Sequence, residues 1–161
     1  MNTLQTKLTQ ACENRYTFKS HSNCLWCELK NEEELLHVSQ VFQNLPARIC
    51  TITCYKEEVG HEIVYHFDIE GKIVNLKLHV KKNCVESITP YFKSADWTER
   101  ELSEMYGIEL KNHPNPQRLF LDEKIKESVL DEYISLSNAM NGKMTQSLWN
   151  KVKQSKEVSH G

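Results

Sequence analysis

Two alternating runs meet at a glycine: HEIVYHFDIE (61–70) and GKIVNLKLHV (71–80). In the first, Ile63, Tyr65, Phe67 and Ile69 share one side. In the second, Val74, Leu76, Leu78 and Val80 do, with Asn75, Lys77 and His79 opposite. Side chains alternate across a strand, so each run has one apolar and one polar face. The short Glu70-Gly71 link is a hairpin signal, because Gly71 tolerates the positive φ of a tight turn. ARICTITCY (47–55) sets Ile49, Thr51, Thr53 and Tyr55 against Cys50, Ile52 and Cys54. CLWCELK (24–30) reads as a further strand, and VESIT (85–89) as another short one. Strands with a single apolar face form an antiparallel sheet covered on one side, most simply by helices. The expected fold is α+β: a mostly antiparallel sheet, helices packed on one face, and a helical C-terminal appendage.

The helical cover is legible in part. Asn31 is placed to cap a helix, with Glu34 at the capping-box position. Leu35, Val38, Val41, Phe42 and Leu45 then recur at helical spacing until Pro46. Residues 1–23 form an N-terminal segment with one short helix, and 24–122 the α+β domain. Residues 123–161 are a helical extension: Ile125, Val129, Tyr133, Leu136 and Met140 make a stripe, Asn141-Gly142 breaks it, and Met144, Leu148 and Val152 resume. This extension either folds back on its own sheet or lies across a neighbouring subunit, and the polar tail KQSKEVSHG frays.

Composition excludes several classes. The chain has 161 residues, 26% of them charged, and a net charge of -2, without the basic excess of a nucleic-acid binder. No apolar run approaches the roughly 20 residues needed to span a bilayer. The N-terminus has no secretory pattern, so a cytoplasmic protein is expected, peripheral to any membrane.

Six cysteines (Cys12, Cys24, Cys27, Cys50, Cys54 and Cys84) raise a metal or thiol reading. The pairs Cys24/Cys27 and Cys50/Cys54 superficially match a four-thiolate zinc site. Neither LW nor TIT contains the Gly or Pro of a tight turn, and on a strand Cys24 and Cys27 face opposite ways. Cys50 and Cys54 would share a face with Ile52 as small core residues. HEIVYH misses the zinc-protease spacing by one residue, which puts its histidines on opposite faces of a strand. His79, on a polar face, is expected to be solvated.

The stretch DWTERELSEMYGIELKNHP (96–114) concentrates charge in one helix, expected over Trp97–Tyr106 and ending at Gly107. Asp96 and Glu99 read as a second capping box, and Arg100 and Glu104 as an i,i+4 pair. Trp97, Glu101 and Met105 fall on one stripe, so Glu101 lies among apolar neighbours and calls for a cation: Arg118, or an arginine of another protein. Beyond it, Asn112, Pro114 and Pro116 stiffen a bend.

These residues carry a resemblance. Trp97, Glu99, Arg100, Glu101, Met105, Tyr106, Gly107, Ile108, His113, Pro114 and Arg118 resemble the 30-kDa subunit family of respiratory complex I. That family includes counterparts in group 4 membrane-bound Ni-Fe hydrogenases and formate hydrogenlyase-type complexes. The likeness extends more weakly back to about residue 24. Where the family usually has Gly-His-Pro-Asp and paired arginines, this chain has Asn112-His113-Pro114-Asn115-Pro116-Gln117-Arg118. Those departures and the short length lean toward a hydrogenase-type or otherwise specialised complex.

The resemblance implies a non-catalytic accessory subunit of a membrane-associated NADH:quinone oxidoreductase-like or hydrogenase complex. It would dock on the large subunit, which holds the quinone or Ni-Fe site, on the cytoplasmic face of the membrane. The accessory subunit itself would bind no cofactor; Fe-S clusters and the Ni-Fe or quinone site would belong to partner subunits. Trp97, Glu99, Arg100, Glu101, Tyr106, Gly107, His113, Pro114 and Arg118 would then be partner-docking rather than catalytic. The residues also leave open a stand-alone acid/base enzyme using Glu99, Glu101 or His113, and a small thiol or metal module.

Overall fold

The computed structural model describes residues 2–121, and the expected helices of 123–161 lie outside them. In order along the sequence the elements are α1 (Asn2–Ala11), β1 (Lys19–His21), β2 (Cys24–Leu29), α2 (Glu32–Gln43), β3 (Ala47–Lys56), β4 (His61–Ile69), β5 (Lys72–Val80), β6 (Cys84–Glu86), α3 (Ala95–Tyr106) and β7 (Glu109–Lys111). The class is α+β, as read from the sequence.

Five strands form one sheet in the order β1-β2-β5-β4-β3, and β6 and β7 form a second, two-stranded one. The long hairpin is where the alternation put it: β4 pairs antiparallel with β5 from His61↔Val80 to Ile69↔Lys72. Its turn carries Glu70 and Gly71 at φ 53 and 72, the doubly left-handed geometry that matches the twist of the strands. Two pairings are parallel, β2 with β5 and β6 with β7. α2 follows β2 and the backbone re-enters the sheet at its far edge as β3, returning through β4 to place β5 beside β2.

One apolar face collects the core. Ile63, Tyr65, Phe67, Ile69, Val74, Leu76 and Leu78 are buried there together with Leu25, Cys27 and Leu29. Leu4 and Leu8 from α1, Leu35, Val38 and Phe42 from α2, and Ala95 and Leu102 from α3 join the same cluster. Each large aliphatic or aromatic side chain moved from water contributes about 1.5–3 kcal/mol, so this cluster dominates folding. The N-terminal segment therefore shares its core with the sheet. α2 starts as expected: Asn31 Oδ1 accepts from the Glu34 N–H at 2.9 Å. The Glu34 carboxylate reaches back to the Lys30 N–H at 2.7 Å.

Two strand expectations are corrected. Cys50 is exposed, not a core residue beside Cys54, because the β3–β4 register shifts between Ile49 and Thr51. This bulge adds a residue and flips the alternation, bringing Ile49, Ile52 and Cys54 inward together. His79 is not simply solvated: its Nδ1 is 3.0 Å from Glu57 and its Nε2 3.4 Å from Glu62. Among the described residues no helix is long and apolar enough to cross a membrane.

Candidate functional site

α3 is held by what its charges grip. It begins at Ala95 after Ser94, whose side chain makes no capping bond, and ends at Gly107 with φ 65. That left-handed conformation is open to glycine without the steric cost other residues meet. The Asp96/Glu99 capping box does not form, because Glu99 is turned inward. Fully buried, it accepts from Ser87 Oγ at 2.6 Å, Thr89 Oγ1 at 2.7 Å and the Ile88 N–H at 2.7 Å. A buried carboxylate persists only where donors replace its hydration, and the 87–89 loop supplies three.

His113 completes this knot. The Asn115 N–H donates to its Nδ1 at 3.0 Å. The ring proton therefore sits on Nε2, which faces Thr89 Oγ1 at 3.3 Å, Glu99 at 3.6 Å and Asp96 at 3.7 Å. The His113 and Glu99 side chains are both completely covered. The acid/base constellation is present in composition, yet both side chains are closed off from solvent.

Arg100 and Glu104 grip a second segment, and not each other as their spacing suggested. Arg100 Nε and Nη2 donate to the carbonyls of Gln117 and Arg118 at 2.7 and 2.8 Å. Its ion pair is with Asp96, one turn back, at 3.4 Å. Glu104 accepts from the N–H groups of Leu119, Phe120 and Leu121 at 2.6, 2.8 and 3.4 Å. Burial alone would push the Glu104 carboxyl up. The Phe120, Leu119 and Leu121 N–H groups and the nearby Arg118 charge outweigh that and hold it below its ordinary value. One side chain takes the carbonyls of the 117–121 strap and the other its amides, which fixes the strap against the helix.

The remaining stripe points out. Trp97 is 63% exposed, the largest exposed aromatic on the helix. Glu101 is exposed, not sunk between apolar neighbours, and Met105 is half-buried. Among the described residues no cation pairs with Glu101, while Arg118 lies near Glu104. The buried line is Ala95, Glu99 and Leu102 instead. Tyr106 packs edge-on to His61 with ring centroids 6.0 Å apart. Asn112, at φ 58, takes the left-handed position and donates to Glu86 at 2.8 Å, while Pro114 is exposed at the bend.

The other candidate chemistry separates in space. Cys24 and Cys27 are on β2 and Cys50 and Cys54 on β3, with β5 and β4 between them. Three strand spacings are about 14 Å, far beyond a shared zinc ion. Ligand atoms of Glu57, Glu62 and His79 do lie within 4.8 Å of one another. There the imidazole turns one nitrogen to each carboxylate and Lys77 pairs with Glu62, which makes an ion-pair network rather than a vacant coordination sphere. Sequence reasoning missed Ser87, Thr89 and Asp96 as partners, and placed Glu104 on the wrong one. The only trace was a pair of hydroxyls flanking Ile88.

The family model for the respiratory-chain NADH dehydrogenase 30 kDa subunit matches residues 29–137. The protein belongs to that family. The match takes in α3, the His113 bend and the strap. NAD(P)H-quinone oxidoreductase subunit J of Prochlorococcus marinus (strain NATL1A) is 42% identical over 62 residues, 37% of this chain and 36% of that protein. An NADH-quinone oxidoreductase subunit of Caulobacter sp. (strain K31) is 41% identical over 70 residues, 42% of this chain and 33% of that protein. The matched stretches thus span about a third of these relatives' length.

Two solved structures share the fold. A protein of the membrane-bound sulfane sulfur reductase, an archaeal respiratory membrane complex, superposes with a TM-score of 0.68 at 16% identity, covering 86% of this chain and 90% of that one. The trypsin-resistant fragment of Nqo5 gives 0.53 at 21% identity, covering 70% and 98%.

Proposed function

We propose that this 30 kDa-family protein is a non-catalytic accessory subunit of a membrane-associated oxidoreductase assembly, of the NADH:quinone oxidoreductase or group 4 Ni-Fe hydrogenase type. It docks on the large subunit that carries the quinone or Ni-Fe site, and that subunit and its Fe-S partners hold the redox groups. The accessory subunit reaches the cytoplasmic face of the membrane through the assembly.

One observation carries this reading. Glu99, Arg100, Glu104 and His113 are consumed in clamping the protein's own loop and strap, while Trp97, Glu101 and Met105 are left on a rigid outward face. Catalysis needs a reacting group open to substrate, and here Glu99 and His113, two of the three acid/base candidates, are sealed, while of the three Glu101 alone is exposed. A large exposed aromatic on a fixed helix is instead the usual anchor of an interface.

The test is recovery of the assembly from its native cells through an affinity tag on this protein. The large subunit is expected to co-elute, and Trp97→Ala to lower its recovery at least tenfold. A tagged protein that elutes alone would overturn the assignment. If the co-eluting large subunit carries paired CxxC motifs, the assembly is of the hydrogenase type; without them it is a quinone-reducing or divergent one.

A further inference from the structure

Resting on the accessory-subunit reading, we propose that a neighbour in the assembly seats an acidic segment in the basic groove beside β2, its carboxylates on Lys19, Lys30 and Arg15. The groove holds about 380 Å³. The β1–β2 ladder runs from His21↔Cys24 to Lys19↔Trp26, and the groove opens past its Lys19 end. Arg15 reaches it from the link between α1 and β1, Lys19 from β1, Lys30 from just beyond β2 and Lys77 from β5, where it lies beside Glu28. Half-buried Trp26 gives it an aromatic wall.

Four cations against Glu28 and Glu34 leave this groove positive in a protein whose net charge is -2. Most of the other charges are engaged. Glu34 is held by the Lys30 N–H in the α2 cap, Glu28 leans toward His79 Nε2 at 3.9 Å, and Lys77 pairs with Glu62. Arg15 pairs with Glu13 at 2.7 Å, but both side chains are more than half exposed, and such a pair contributes little and is readily exchanged. Among the described residues no acid pairs with the ammonium groups of Lys19 and Lys30, and both residues are exposed. Carboxylates are the groups that answer two unpaired ammonium ions and a loosely paired guanidinium. A nucleic acid would call for a basic surface broader than one groove.

The experiment is carbodiimide coupling, which joins an ammonium to a carboxylate it touches, on the tagged assembly, with the joined peptides identified by mass spectrometry. Lys19 or Lys30 is expected to couple to an Asp or Glu of another subunit. Acetylation of both lysines should be at least tenfold slower in the assembly than in the isolated full-length protein. Lys19→Glu combined with Lys30→Ala changes only exposed side chains. It should leave the urea midpoint in place and lower recovery of the coupled subunit at least tenfold. An intact assembly in which both lysines acetylate at the isolated rate overturns this inference and leaves the accessory-subunit reading standing. So does full recovery of every subunit by the double variant. Coupling to a second copy of this protein, through its own acidic residues, overturns it in favour of self-association. Protection that vanishes in phosphate-free buffer overturns it in favour of a small anion. Failure to recover any partner overturns the accessory-subunit reading itself, and this inference with it.

Discussion

Replacing Glu99 separates its structural role from any docking role. Three donors converge on its carboxylate at 2.6 to 2.7 Å, from Ser87, Thr89 and the Ile88 N–H. Hydrogen bonds to a charged group contribute about 1.5–3 kcal/mol each, and a buried donor left unpaired costs about 1–3 kcal/mol. Part of that is offset because alanine no longer buries a charge. Glu99→Ala should therefore destabilise by about 3–5 kcal/mol, a large share of the roughly 5–15 kcal/mol that holds a domain together.

Glu99→Gln is milder but not silent. Its carbonyl still accepts from Ile88, yet its NH₂ meets two hydroxyls that donate in the native knot. Ser87 Oγ already accepts from the Thr89 N–H at 3.1 Å, and Thr89 Oγ1 faces His113 at 3.3 Å. One hydroxyl must turn away from a good partner, which costs about 1–2 kcal/mol. Urea unfolding followed by tryptophan fluorescence reads both variants, as a lower midpoint at unchanged slope. Glu101→Ala, two residues on and exposed, should stay within about 0.5 kcal/mol of the parent. A Glu99→Ala loss below about 1 kcal/mol, or an equal loss from Glu101→Ala, would refute the reasoning.

Three further outcomes follow from the same contacts. The Glu104 carboxyl sits below its ordinary value of 4.5, so the folded protein binds fewer protons there than the unfolded one. Its contribution is complete above that value and is lost as pH falls through the folded pKa, so Glu104→Gln should flatten the decline in stability between about pH 5 and about pH 3. Burial pushes the Cys12 and Cys27 thiols up to about 11 and about 12. Thiol reagent near neutral pH should therefore label exposed Cys50 first and reach Cys12 and Cys27 only on unfolding, which mass spectrometry of labelled peptides resolves. Gly107→Ala, at φ 65, should cost about 1–2 kcal/mol in the same urea assay.

The sheet was largely legible because alternation is a local signal. β4 and β5 follow their apolar faces residue by residue, and the Glu70-Gly71 turn fixes their register. The Cys50 bulge was not legible, since an inserted residue in a strand leaves no mark when both neighbours suit β structure. The parallel β2–β5 pair depends on where the backbone returns after α2, a non-local choice. In α3 two stripes compete at helical spacing: Trp97-Glu101-Met105 and Ala95-Glu99-Leu102. The bulkier apolar stripe reads as the buried one from sequence, yet the fold buries the other. The donors at Ser87, Thr89 and Ile88 make an inward Glu99 tolerable, and they lie 10 to 12 residues away along the sequence. Pairings of charged side chains with distant backbone, such as Glu104 with the strap, are invisible to spacing rules.

Oxidative footprinting of Trp97 tests the central claim most directly, because that ring is 63% exposed in the protein alone. Its rate of hydroxyl-radical modification is measured in the purified assembly and in the isolated protein, with exposed His21, on the opposite edge of the sheet, as an internal comparison. A fall of tenfold or more at Trp97 on assembly is the expected result. An unchanged rate in an intact assembly would contradict the account, since the outward face of α3 would then be meeting water and not a partner.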